Sequence, residues 1–311
     1  MNSPYAVQSK YARQRKKILR HWQLYLLVLA PVVYVIMFRY VPIFGSQIAF
    51  RDYKLNMGIT GSTWVGLKHF IDFLGGNKFG LLMKNTLTLS FYNIGASFFP
   101  PIILALALNY AFNRHFGKTV QMVTYMHYFI STVLVVSIIT RLLSLTGPVN
   151  NLISQLGGQK ILFIGKPEYF RTIYVFSGIW QSTGYNAVVY LAALAAISPE
   201  LHEAAIVDGA NMWQRIYHVD IPGILPTAII LLIMACGRVL TIGYEKVLLL
   251  QNLENMSTSD IISTYVYRIG LSEGMQYSFS TAVGLFQSVV SLLLLTLVNW
   301  ISRTVSETSL W

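Results

Sequence analysis

The sequence predicts an all-α fold, a polytopic membrane helix bundle with about six transmembrane helices, on two observations. Only 11% of the 311 residues are charged and 54% are hydrophobic, which is about half the charge a soluble domain carries toward water. Six apolar stretches also approach the roughly twenty residues a helix needs to cross a bilayer core.

A basic cluster, Lys10, Arg13, Arg15, Lys16, Lys17 and Arg20, precedes the first stretch. Such a cluster beside a span marks a cytoplasmic flank. Residues 1–21 therefore read as a basic cytoplasmic tail and residues 22–311 as the transmembrane domain, with core helices over about 81–311. The net charge of +11 owes much to this flank, a distribution that argues against nucleic acid. The single cysteine, Cys236, lies in an apolar run, so one chain can form neither a disulfide nor a cysteine-based metal site.

The first span is expected near Trp22–Phe38. No small-x-small cleavage site follows it, so it reads as a retained span and not as a signal peptide. The second, about Leu81–Asn109, contains Pro100 and Pro101, which remove backbone donors in mid-membrane. That is tolerated only where neighbouring groups satisfy the freed carbonyls, which places this helix inside a bundle. A third span is expected over about Thr119–Leu143, and a fourth over about Thr172–Ile197. The last two lie near Ile224–Gly243 and Thr281–Ile301. An inside amino terminus and six spans put both termini in the cytoplasm. Asn113–Lys118 and Pro199–Pro222 then face inward, and the 39–80, 144–171 and 244–280 connections face outward.

The segment from Ser198 to Pro226 is the most informative. Ser198 is a plausible N-cap, Pro199 suits the first helical position, and Glu200 and Glu203 favour the positive end of the helix dipole. Asp208-Gly209 supplies a bend, and a second helical turn begins near Asn211. The pattern reads as two short helices at an angle, with an apolar side from Trp213, Ile216 and Tyr217. Such an element lies at the membrane surface, either against lipid and its own bundle or as a knob for a cytoplasmic partner.

The run Glu203-Ala204-Ala205-x-x-Asp208-Gly209-Ala210, followed by Val219-x-Ile221-Pro222, matches the EAA motif of binding-protein-dependent ABC importers. Val219 and Ile221 are conservative departures from its usual form. The likeness extends along nearly the whole chain. Tyr40-Val41-Pro42-Ile43-Phe44-Gly45 and Trp64-Val65-Gly66-Leu67-Lys68-His69-Phe70 resemble the sugar-permease branch. Ile262 to Arg268 and Ser306 to Trp311 resemble the LplB-type permeases of poly- and oligosaccharide uptake. The resemblance implies a type I importer transmembrane domain whose loop 198–222 carries the coupling helix. Glu203, Ala204, Ala205, Asp208, Gly209 and Ala210, with Trp213 and Arg215, would then meet an ATPase. It implies as partners a second homologous permease, two cytoplasmic ABC ATPases and an extracytoplasmic solute-binding protein, besides lipid and a carbohydrate substrate. ATP and magnesium would belong to the ATPases, and this chain would hold no cofactor.

Polar residues within spans are costly and tend to face a bundle interior. Gln181, Ser182, Tyr185 and Asn186 interrupt the fourth apolar run together with Trp180. The maltose-type permeases this chain resembles contact substrate in this helix, and interhelical hydrogen bonding is the alternative role. Arg238 is expected in mid-span, either paired with a carboxylate such as Glu245 or standing as a cationic spot in a wet pathway, where acidic sugars such as uronates would meet it. Arg141 is a second such candidate.

No H-E-x-x-H, G-x-S-x-G or Walker sequence occurs. The chain is therefore expected not to be an enzyme, to bind no metal, and to draw its energy from another polypeptide. Three other classes compete with a sugar importer. An ion-coupled carrier would bring repeated halves and intramembrane acids, and neither is visible. An intramembrane enzyme would need a nucleophile–base pair or metal ligands at helical spacing, and none is present. An importer of peptides or another nutrient keeps the same architecture.

Overall fold

The computed structural model describes residues 20–272 and 274–306; the basic tail before Arg20 and the last five residues lie outside these. Helix α1 spans Trp22–Val35 and continues through a π turn, Ile36–Tyr40, and a 3-10 segment, Val41–Phe50. The first span is thus longer than expected, a 29-residue apolar run from Trp22 to Phe50 with no buried residue in its most apolar window. The π turn explains the continuity. Pro42 lacks an N–H and its ring would crowd the carbonyl four residues back, and widening the preceding turn relieves both constraints.

A short antiparallel pair follows, β1 (Arg51–Asp52) with β2 (Thr63–Trp64), in register Arg51 to Trp64 and Asp52 to Thr63. Phe50 stacks on Trp64 with ring centroids 5.6 Å apart. The Tyr53 amide donates to Ser278 Oγ at 2.8 Å, tying this outer flap to the last helix. Helix α2 (Lys68–Leu74) closes the flap.

Helices α3 (Phe79–Asn109) and α6 (Pro167–Ala195) form the spine of the bundle. The helix runs unbroken through Pro100 and Pro101, and Pro101 is buried. Between the two lie α4 (Arg114–Met126) and α5 (Thr132–Leu142). The sequence pattern reads this region as one span, but the pair is bent by 99°. Ile130 and Ser131 take extended backbone, and Ser131 Oγ caps α5 by accepting from Leu134 N at 3.4 Å. One capping hydroxyl thus ends an apolar pattern that hydropathy reads as continuous.

After α6 come α7 (Pro199–Val207), α8 (Ile221–Cys236), α9 (Tyr244–Leu250), α10 (Ile262–Tyr267) and α11 (Tyr277–Ser306). Among the described residues four segments are long and apolar enough to cross a membrane, those beginning at Trp22, Phe79, Met212 and Tyr277, and the bent α4–α5 pair makes a fifth if it counts as one. Helix α6 has the length at 29 residues, but Gln181, Ser182, Thr183 and Asn186 make it more polar. The expected short helix after Asn211 is not separate. Met212–Arg215 passes through a π turn, Ile216–Asp220, straight into α8, again two residues before a proline, Pro222. The fifth span also ends earlier than expected, at Cys236, before a 3-10 turn over Val239–Thr241.

Lipid tails are as apolar as leucine, so packing and polar contacts hold such a bundle together. One buried group gathers Leu89, Tyr174, Val175 and Val247, and another gathers Ala105, Ala187, Tyr190 and Ile224. Asn85 Nδ2 donates to the carbonyls of Ser257 and Asp260, both at 3.0 Å, while Arg171 donates to Asn85 Oδ1 at 3.0 Å. Bonds of this kind contribute about 0.6 kcal/mol each on average inside a membrane protein.

Candidate coupling surface and translocation cleft

Helix α7 begins as the sequence predicts. Ser198 Oγ accepts from Glu200 N at 3.3 Å, and Pro199 occupies the first turn. Gly209 takes a positive φ of +78°, a conformation L side chains rarely adopt, and this turns the chain sharply after α7. Asn211 and Gln214 then form a reciprocal capping box.

Glu203, Ala204, Asp208 and Gly209 are exposed, while Ala205 and Ala210 are half-buried. Around them stand Leu201, Ile206, Val207, Trp213 and Tyr217, exposed by 55–86%. This surface therefore combines two carboxylates with bare apolar side chains. Contiguous exposure of this kind marks a region that another molecule covers. Arg215 departs from the group: it is half-buried, and its guanidinium lies over the Tyr110 ring, 5.6 Å from the centroid.

Behind the surface sits a cluster that sequence reading missed. Asp220 is fully buried, and its Oδ2 accepts from the Tyr110 hydroxyl at 2.7 Å. Its Oδ1 lies 3.4 Å from His202 Nε2, close enough for an ion pair but without hydrogen-bond geometry. Burial, then the bond to Asp220, pushes the Tyr110 hydroxyl up to about 12. The cluster ties α7, through His202, to the end of α3 and to the π turn that opens α8. The only sequence signal was an acid placed two residues before Pro226's partner proline, Pro222, at the end of an apparent loop.

Higher in the bundle, α3, α6 and α8 enclose a cleft of about 590 Å³, lined in part by Asn93, Ser97, Tyr174, Asn186, Tyr190 and Arg238. Asn186 and Arg238, both singled out from the sequence, thus meet on one surface. Pro101 and Ser97 line it too, so the Ser97 carbonyl that Pro101 leaves without a helical donor belongs to a residue of the cleft wall and not of a lipid-facing one. Arg238 stands just beyond the end of α8 and not in mid-span. It is exposed and forms no ion pair with Glu245 or any other described residue.

Trp180, Gln181 and Tyr185 of α6 engage the α4–α5 break. Gln181 Nε2 donates to the Ile130 carbonyl at 2.9 Å, and Trp180 meets His127 edge to face at 4.5 Å. Tyr185 stacks on Tyr128 at 3.8 Å. Ser182 Oγ donates to Gly178 O within its own helix at 2.8 Å. The Trp180, Gln181 and Tyr185 contacts brace the bend, Ser182 bonds only within α6, and none of Gln181, Ser182 and Tyr185 lines the cleft. Arg141 lies in the last turn of α5 and outside the cleft as well.

Cleft and coupling surface are joined by one rod. From Met212 to Cys236 the helix runs without interruption for 25 residues, about 37 Å at 1.5 Å per residue.

The chain is similar to known transport proteins along nearly its whole length. Residues 89–307 match the family of binding-protein-dependent transport system inner membrane components. The polygalacturonan/rhamnogalacturonan transport system permease protein YteP of Bacillus subtilis (strain 168) is 42% identical over 306 residues, covering 98% of this chain and 95% of its own length. Protein LplB of the same organism is 40% identical over 289 residues, covering 93% and 91%. Among solved structures, a bacterial alginate ABC transporter in complex with an alginate pentasaccharide-bound periplasmic protein matches with a TM-score of 0.86. There, identity is 38% over 95% of this chain and 99% of that one. The chain belongs to the inner membrane components of binding-protein-dependent transport systems, and it is a transport permease.

Proposed function

We propose that this permease imports oligosaccharides or polysaccharide fragments by alternating access, driven by ATPase subunits that dock on the α7 surface. The observation that carries the reading is the continuous helix from Met212 to Cys236. It begins beside an exposed docking surface and ends at a polar cleft, so a displacement at one end is delivered at the other as rigid-body motion. Glu203 and Asp208 would meet basic or amide groups on the ATPase, and the exposed Trp213 would fill an apolar recess. Gly209 provides the turn between them, flanked by Ala204, Ala205 and Ala210. Arg215 acts from behind, through Tyr110.

Saccharide cargo is supported by the relatives' own substrates and by the mixed lining of the cleft, where amides suit hydroxyls and aromatic rings suit sugar C–H faces. Both considerations favour sugar over peptide. Polygalacturonan and alginate are polyuronates, and the unpaired Arg238 fits a carboxylate-bearing sugar. Asn186 and Arg238 would touch the substrate directly, whereas Gln181, Ser182 and Tyr185 would shape the pathway at the bend.

The assembly we infer contains a second related permease, two ATPases that hold ATP and magnesium, and a solute-binding protein on the outer face. Both termini, with α7, would lie in the cytoplasm. Copurification tests it. A tagged chain drawn gently from its native membrane should bring an ATPase, a second permease and a binding protein. Glu203→Lys or Asp208→Lys should release the ATPase and abolish uptake. Recovery of the wild-type chain without an ATPase would sink the coupling reading.

A further inference from the structure

We propose that Lys246 is an anion-recognition residue of the pathway, a second cation that a uronate carboxylate meets beyond Arg238. The proposal rests on the saccharide-importer reading and adds to it a residue and the sign of the ligand's charge.

Lys246 lies on α9, in the connection between α8 and α11. It is only 8% exposed, and its Nζ has no hydrogen-bond partner and no ion pair among the described residues. Its neighbour in sequence, Glu245, is exposed and does not pair with it. Nζ stands over the Tyr174 ring, 5.2 Å from the centroid. That contact offsets part of the lost hydration but satisfies none of the three ammonium donors with an oxygen.

The surroundings say where the missing anion comes from. Tyr174, beneath the ammonium, lines the cleft, and so do Asn93 and Gly243. A Cβ at Gly178 would stand 3.5 Å from Lys246 Nζ and 4.0 Å from Asn93 Oδ1. A single Cβ there would already touch both groups, so Gly178 places them side by side with about a methyl group's room between. Tyr174 and Asn93 stand in the cleft wall and the closed-off ammonium lies directly behind them, so amide, aromatic ring and ammonium form one layered set that suits a sugar carboxylate flanked by hydroxyls.

The charge is present where it is needed. Burial lowers the Lys246 pKa to about 8, so the ammonium is still mostly protonated near neutrality. A buried, unpaired charge is costly, and methionine would fill the same volume without that cost. Among the described residues only the Tyr174 ring offsets part of it, and no carboxylate does. A carboxylate arriving through the cleft does.

The test uses the complete importer in proteoliposomes, with its binding protein outside and labelled oligogalacturonate or alginate oligosaccharide as probe. Lys246→Met should lower uptake at least about tenfold, while Lys246→Arg should stay within about threefold of wild type. The thermal midpoint of the Lys246→Met complex should match or exceed that of the wild type, because a buried charge has been removed. Wild-type uptake in Lys246→Met overturns the proposal. So does equal loss in both variants, or a lowered midpoint in Lys246→Met, either of which makes Lys246 a structural prop on Tyr174. Failure of the wild type on both acidic probes, with uptake of a neutral oligosaccharide, overturns the proposal and leaves the importer reading standing. Failure on every saccharide rejects that reading as well.

Discussion

The two ends of α8 treat charge in opposite ways. At the coupling end, the fully buried Asp220 accepts from Tyr110 at 2.7 Å and has His202, a counter-charge when protonated, at 3.4 Å, so its partners lie within the chain. At the cleft end, Arg238 and Lys246 have no carboxylate within ion-pair distance among the described residues. A joint that must transmit motion is stiffest when its polar groups are internally satisfied. A surface that must bind and release a ligand works only if its polar groups are left for that ligand. The contrast separates a mechanical end from a chemical one along a single helix.

Substitutions at each end break or sharpen this contrast. The largest effect is expected from Asp220→Ala, which strands the Tyr110 hydroxyl and uncouples His202. Loss of a hydrogen bond to a charged acceptor, plus the unmet donor, should cost about 2–3 kcal/mol, read as a lower unfolding midpoint of the purified complex. An unchanged midpoint would remove the claim that this end is a rigid joint. Arg238→Gln comes next. It should reduce uptake of an acidic oligosaccharide about tenfold, or roughly 1.4 kcal/mol, with little change in midpoint because the side chain is exposed. Unaltered uptake of every substrate would leave the cleft end without its proposed chemistry. The smallest effect belongs to neither end. Ser131→Ala removes the cap at the α4–α5 bend and should cost about 1 kcal/mol, seen in the midpoint with uptake nearly intact.

Much of this architecture was legible in the sequence because it is written in local signals. Ser198 and Pro199 announce the start of α7, and Asp208-Gly209 its end. Apolar length announces the spans. What escaped depends on three-dimensional neighbours. The 99° bend turns on one serine within an apolar pattern, and hydropathy averages over it. The π turns at Ile36–Tyr40 and Ile216–Asp220 keep helices running toward Pro42 and Pro222, where the usual rule expects a stop. Asp220 and Lys246 fall in the connections expected over Pro199–Pro222 and 244–280, and nothing local shows that tertiary packing buries them. Arg238 was expected within a longer helix, and Gly237 together with the 3-10 turn after it shifts the residue to the helix end. Gln181 and Tyr185 were noticed for their polarity, but which neighbour they serve depends on a bend the sequence pattern hides.

The uninterrupted run from Met212 to Cys236 has a consequence for how such importers diversify. A rod passes on force without regard to what is held at its far tip. Residues around the cleft can therefore be exchanged for a new cargo while the tip proposed to meet the ATPase stays the same, and on that proposal one engine can be shared among permeases of different taste. The two tips can then change at independent tempos, the cargo end following the diet of the cell and the engine end constrained by every permease that uses it.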